Sequence, residues 1–221
     1  DTSGHVKKEA DRQNSVVFLK NVFTETSWLS KNLGSVTQAG LVNNLNDAMI
    51  WGILPVLLAQ RGFDIAQIGI ITAVYPVVWG FGQIATGRLA DIYCKRNLLF
   101  WGMLFQGVAI ILIIFSASII HYIIISFLLG IGTAIVYPTF LSSIAEDTNP
   151  QQRANSLGVF RFWRDLGYVI GALLTGIFTD FFSVKFSIAF IGILTILSAV
   201  VIIYRMKCGK VRKGTLRTHR I

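Results

Sequence analysis

Between residues 39 and 204 the chain holds six apolar stretches, each long enough to cross a bilayer, and little else. A hydrocarbon core of about 30 Å takes about 20 apolar residues in a helix. The stretches cover residues 39–59, 65–87, 98–118, 122–146, 155–178 and 186–204. Only 14% of residues are charged and the mean hydropathy is +0.62, whereas a soluble domain would alternate apolar and polar faces. The expected fold is an all-α membrane protein with six transmembrane helices.

A formal charge of +9 in a soluble chain would suggest nucleic acid, but the positions of the charges argue otherwise. With an even helix count, both termini and the second and fourth connections share one side. That side carries Lys7, Lys8, Arg12, Lys20 and Lys31, then Arg88, Lys95, Arg96 and Arg153, then the tail from Arg205 to Arg220. The opposite loops hold only Arg61 and Lys185. The positive-inside rule makes the basic side cytoplasmic. A multi-pass protein of the plasma (inner) membrane is expected, with both termini cytoplasmic and the tail near anionic headgroups. The expected partners are the lipid bilayer and a small-molecule substrate, with no nucleic acid. Cys94 and Cys208 fall on the cytoplasmic side, where thiols stay reduced. Neither has metal-ligand spacing, and His5, His121 and His219 are scattered, so no metal or cofactor is expected. The chain opens on Asp1 rather than Met, which is expected of a cut fragment.

Residues 1–37 read as a cytoplasmic linker, polar and disordered to about Val16. Phe18, Leu19, Val22, Phe23, Leu29 and Leu33 then recur at near-helical spacing, as in an interfacial helix. Residues 38–206 form the membrane unit, and 207–221 a basic tail. The membrane unit repeats weakly at an offset of 89 positions. Gly82, Thr86, Gly87 and Asp91 recur as Gly171, Thr175, Gly176 and Asp180, and the same offset carries span one onto four and three onto six. Three helices per copy give opposite orientations in the membrane, the inverted repeat of secondary transporters. The third and sixth spans, nearly free of polar groups apart from Gln106, are expected to be outer, lipid-facing helices.

Charge inside a membrane is costly and asks for a function. In span one, Asn43, Asn46 and Asp47 share a face at about 100° per residue, with Asp47 about 12 Å from the cytoplasmic end. In span five, Arg161, Arg164, Asp165 and Tyr168 share a face, with Arg161–Asp165 as an i,i+4 pair. Internal neutralisation accounts for one arginine. The second is free to hold an anionic group in a water-filled cavity. Trp51, Tyr75, Trp79, Tyr137 and Trp163 are candidate cavity aromatics. Pro55, Pro76 and Pro138 predict kinks or breaks, and the glycines at 80, 82, 87, 167, 171 and 176 permit close helix contact.

The connection after span two runs Gly87-Arg88-Leu89-Ala90-Asp91-Ile92-Tyr93-Cys94-Lys95-Arg96. It resembles the cytoplasmic signature loop of the major facilitator superfamily, Gly-x-Leu-Ala-Asp-Arg-x-Gly-Arg-Lys, with Ile92 and Cys94 as departures. The runs from Asn43 to Gly52 and Val159 to Tyr168 resemble the C-terminal half of bacterial-type permeases in that superfamily. The resemblance covers about residues 38–206. It implies six helices as a three-plus-three inverted repeat, half of a twelve-helix fold whose missing N-terminal half is a partner. A first-half assignment stays open. The loop itself reads as a gate: Asp91 placed to meet a helix start of the other half, and Arg88 or Arg96 to reach Glu146, a latch that breaks for inward opening.

These features point to a secondary transporter moving a small solute by alternating access. Without a Gly-x4-Gly-Lys-Ser/Thr loop, direct ATP drive is unsupported, and a proton gradient acting on Asp47 is the expected energy source. The alternatives are an organic-anion antiporter using Arg161 or Arg164, not coupled to protons, and a non-transporting membrane subunit. No nucleophile–base constellation suggests an intramembrane enzyme.

Overall fold

The computed structural model describes residues 18–208. The basic residues at Lys7, Lys8 and Arg12 and in the distal tail, and the expected disorder near the N-terminus, lie outside them. Every regular element among the described residues is helical. In chain order these are α1 (Val22–Thr24), a π-helical turn (Glu25–Leu29), α2 (Lys31–Gln60), α3 (Ile65–Thr86), α4 (Leu89–Ile92), α5 (Lys95–Phe115), α6 (Ile119–Asp147), α7 (Arg153–Phe181) and α8 (Val184–Arg205). Six are long. All but α7 are apolar enough by composition to count as spans; α7 carries Arg161, Arg164 and Asp165 inside it.

The stretch expected as an interfacial helix is shorter and bent. Asn21 caps α1, the π turn follows, and Ser30 caps α2 by accepting from the Leu33 amide. The first long helix therefore begins at Lys31, inside the stretch read as linker. The π turn packs rather than floats. Thr37 Oγ1 donates to the Thr26 carbonyl at 2.8 Å, and Trp163 Nε1 on α7 donates to Ser27 Oγ at 2.8 Å. Of the kinks or breaks predicted at proline, no break occurs: Pro55, Pro76 and Pro138 each lie inside a continuous helix.

Helix packing reproduces the repeat. The closest pairs are α2 with α7 and α3 with α6, which exchange when the two copies are swapped; α5 with α8 maps onto itself. Glycine explains part of the sequence match. A Cβ on Gly82 would lie 2.7 Å from the Ala134 methyl, and one on Gly171 2.8 Å from the Leu45 carbonyl. Residues 45 and 134 are themselves 89 apart, so both copies use glycine at the same close crossing. Gly80 and Gly176 face open space, so close helix contact is not their role.

Helices α5 and α8 carry large exposed apolar side chains such as Trp101, Phe115, Leu197 and Tyr204, as lipid-facing helices do. Cys94, just before α5, and Cys208, just after α8, are joined by a disulfide with Cα atoms 5.6 Å apart. This corrects the expectation of two reduced thiols. The pair is separated by 114 positions, and only the fold brings its members together.

Candidate functional site

Asp47 sits in the middle of α2, 3% exposed. Its Oδ1 accepts from the Tyr75 hydroxyl on α3, and its Oδ2 from the Tyr168 hydroxyl on α7 at 3.2 Å. Tyr75 Oη also lies 3.1 Å from Thr133 Oγ1 on α6. Four long helices thus meet at one carboxylate, which has no ion-pair partner among the described residues.

Asn43 and Asn46 do not share that setting, although helical spacing places them on the same face. Asn46 Nδ2 donates to Gln106 Oε1 at 3.1 Å, and Gln106 Nε2 donates to Asn43 Oδ1 at 3.1 Å. Thr195 Oγ1 on α8 donates to Asn46 Oδ1 at 2.7 Å. All three amides are about 1% exposed. This network staples α2 to the outer helices α5 and α8 and engages both polar atoms of each asparagine, since Asn43 Nδ2 also donates to Asn44 Oδ1 at 3.4 Å. Asp47 points the other way because side chains on a tightly surrounded helix follow the polar groups its neighbours offer.

The α7 cluster pairs differently from the i,i+4 expectation. Asp165 Oδ1 accepts from Nε and Nη2 of the adjacent Arg164, at 2.9 and 2.7 Å, rather than from Arg161. Arg164 Nη1 donates to the Tyr137 hydroxyl on α6 at 2.7 Å, with its guanidinium carbon 5.7 Å from that ring's centre. A guanidinium has five N–H donors, so two remain. Arg161 is exposed and forms no ion pair among the described residues.

From Tyr137 an unbroken aromatic row runs away from Arg164. Trp79 meets Tyr137 edge-on at 5.6 Å, Tyr75 stacks on Trp79 at 6.2 Å, and Trp51 tilts against Tyr75 at 6.2 Å. Trp163, also a candidate, instead joins Phe23, Trp28 and Phe162 against the N-terminal segment. The repeat organises the row and the charges. The 89-residue offset carries Tyr75 and Trp79 on α3 onto Arg164 and Tyr168 on α7, so both helices present their key groups at one level. Thr133 and Thr195 were missed in the sequence, being hydroxyls in apolar helices. The same offset relates Gln106 to Thr195 and Asn44 to Thr133, a signal that would have found both.

At the basic end of the bundle, Gly87 closes α3 with its amide on the Gln83 carbonyl at 2.9 Å. The contact with Glu146 is made by Lys95, not by Arg88 or Arg96, and Lys95 Nζ also donates to the Ser142 carbonyl at 3.1 Å. Lys95 opens α5, which aims it across at α6. Arg96 Nε turns to the neighbouring Asn97 at 3.3 Å. Asp91 is exposed, with no hydrogen bond or ion pair to another described side chain. At the other end, Arg61 donates to Tyr122 and to the Ser116 and Ile114 carbonyls.

The profile of the Major Facilitator Superfamily matches residues 36–218. The chain belongs to this superfamily. An uncharacterized MFS-type transporter of Methanocaldococcus jannaschii is 28% identical over 173 residues, 78% of this chain and 45% of that protein. The inner membrane transport protein YnfM of Escherichia coli is 26% identical, over 67% of this chain and 36% of its own length. A crystal structure of the peptide transporter POT in complex with sulfate superposes with a TM-score of 0.74 at 16% identity, covering 88% of this chain and 41% of that one. The chain spans less than half the length of these relatives. As a major facilitator superfamily chain it is a multi-pass membrane protein of a transporter family rather than an enzyme, and its described helices form one six-helix unit of that fold.

Proposed function

We propose that this chain is the C-terminal half of a secondary active transporter that carries a small organic anion together with protons by alternating access. The missing N-terminal half closes the cavity opposite α3 and α7. The basic end faces the cytoplasm, with both termini there, in the plasma (inner) membrane. The observation that carries this reading is a buried Asp47 with no ion-pair partner among the described residues, bonded by Tyr168, which lies one turn along α7 from Arg164.

Charge explains how the two would couple. Arg161, Arg164, Asp165 and an ionised Asp47 sum to zero. Once the other half excludes water from this face, protonating Asp47 leaves the site with a net positive charge, where an anion is then favoured. Proton and anion each raise the affinity for the other by the same factor. The phenols on Asp47 serve either state, because a carboxylate accepts from them and a carboxylic acid still has an accepting oxygen. Relatives named for anionic solutes support the reading, among them a probable sulfoacetate transporter of Cupriavidus necator and a 4-hydroxybenzoate transporter of Pseudomonas aeruginosa.

The gate is proposed to involve Gly87, Arg88, Asp91, Lys95, Arg96 and Glu146, with Lys95–Glu146 as the latch within this half and Asp91 left exposed for the other half.

Counterflow and pH-driven uptake in proteoliposomes of the full-length protein test this. Asp47→Asn is expected to keep counterflow of the anion and lose accumulation driven by a pH gradient, while Arg164→Gln loses both. Undiminished pH-driven accumulation by Asp47→Asn would overturn the coupling role.

A further inference from the structure

Three features of the site restrict what the anion is. The first is the row of rings from Trp51 through Tyr75 and Trp79 to Tyr137, each within 6.2 Å of the next and the last lying under the Arg164 guanidinium. The second is Trp79 Nε1, a buried N–H with no hydrogen-bond partner among the described residues; such a donor is costly to leave unmet in the interior. The third is the pair of N–H groups left on Arg164 after Asp165 and Tyr137 are served.

Resting on the reading that Arg164 holds the transported anion, we propose that the solute is an aromatic carboxylate, its carboxylate on Arg164 and its ring against Trp79 and Tyr137. The guanidinium carbon and the Trp79 ring both lie within 6 Å of the Tyr137 ring centre, a reach that a carboxylate attached directly to a ring spans. A planar carboxylate matches a guanidinium edge in shape as well as charge. Aromatic faces attract a ring edge-on or in offset stacks, whereas an aliphatic acid gains only apolar contact there. A sugar or polyol acid fits poorly, because its hydroxyls need partners. The buried amides of Asn43, Asn46 and Gln106 are bonded to one another or to Thr195, and Asn44 accepts from Asn43. The free indole N–H supplies one donor, enough for a single ring substituent or a carboxylate oxygen.

The test uses the full-length protein in detergent and in proteoliposomes, with benzoate, cyclohexanecarboxylate and benzamide as probes. Binding is read by quenching of tryptophan fluorescence and by calorimetry, and transport by counterflow. Benzoate is expected to bind several-fold more tightly than cyclohexanecarboxylate, which has the same charge and similar size without the π face, and benzamide is expected not to bind. Trp79→Leu should weaken benzoate at least fivefold and leave cyclohexanecarboxylate within twofold. Trp79→Phe, which keeps a ring and removes the N–H, guards against a Trp79→Leu protein that fails to fold, and should retain the preference for benzoate. Equal affinity for benzoate and cyclohexanecarboxylate in the wild type, or equal losses for both in Trp79→Leu, would overturn the aromatic assignment while leaving anion transport standing. Full anion transport by Arg164→Gln would instead remove the reading on which the proposal rests.

Discussion

Tyr75 donates its hydroxyl to Asp47 from the neighbouring helix, and both residues are buried, 2% and 3% exposed. Tyr168 makes the second bond to the same carboxyl from a half-open position, 40% exposed and at 3.2 Å. The two phenols are therefore not equivalent. A hydrogen bond to a charged group contributes about 1.5–3 kcal/mol, and losing a buried partner costs more than losing one that water replaces. Tyr75→Phe is expected to lower the thermal unfolding midpoint in detergent clearly more than Tyr168→Phe. Equal shifts would mean that Tyr75 is not the main support of Asp47.

The pseudo-symmetric glycines make a second prediction. Gly171→Ala forces a methyl group toward the Leu45 carbonyl and the Ala48 methyl, both under 3 Å, and overpacking of this kind costs about 1–3 kcal/mol. Gly176→Ala meets nothing within 4 Å and should be neutral or stabilise by about 0.5–1 kcal/mol through the helix preference of alanine over glycine. Unfolding midpoints of the two variants, compared in one detergent, check the contrast. Its reversal would mean that α2 and α7 do not cross where described.

The ion pair between Lys95 and Glu146 is partly exposed, with side chains 16% and 47% accessible, so it contributes about 0–1 kcal/mol. Glu146→Gln should change the turnover of transport by a few-fold with little effect on substrate affinity. A large loss of affinity at unchanged turnover would place Glu146 in binding rather than gating.

The cysteine pair tests the topology. Cys94 and Cys208, joined in the structure, should resist a membrane-impermeant maleimide until a reductant is added. Both should then label only from the cytoplasmic face in oriented vesicles. Labelling of either from the outside would reverse the proposed orientation.

Much of this architecture is legible in the one-dimensional pattern. Six apolar runs suffice because a bilayer leaves the backbone no solvent partner, so each run must close its own hydrogen bonds as a helix. The 89-residue offset related span one to four and three to six. The packing obeys the same symmetry because duplicated units bury equivalent faces and keep glycine at equivalent crossings, as at Gly82 and Gly171. The signature loop pointed to the family for a similar reason, its residues being confined to one short stretch.

The direction of individual polar groups was decided only in three dimensions. Helical spacing places Asn43, Asn46 and Asp47 together, yet Gln106 and Thr195 draw the asparagines toward the outer helices while Tyr75 and Tyr168 hold the aspartate toward the centre. Asp165 likewise took Arg164 over Arg161, Glu146 took Lys95 over Arg88 or Arg96, and Cys94 met Cys208 across the chain. Spacing along a helix sets which residues share a face. Which neighbour satisfies each buried donor or acceptor depends on partners tens of residues away, and only the packed bundle brings those within reach.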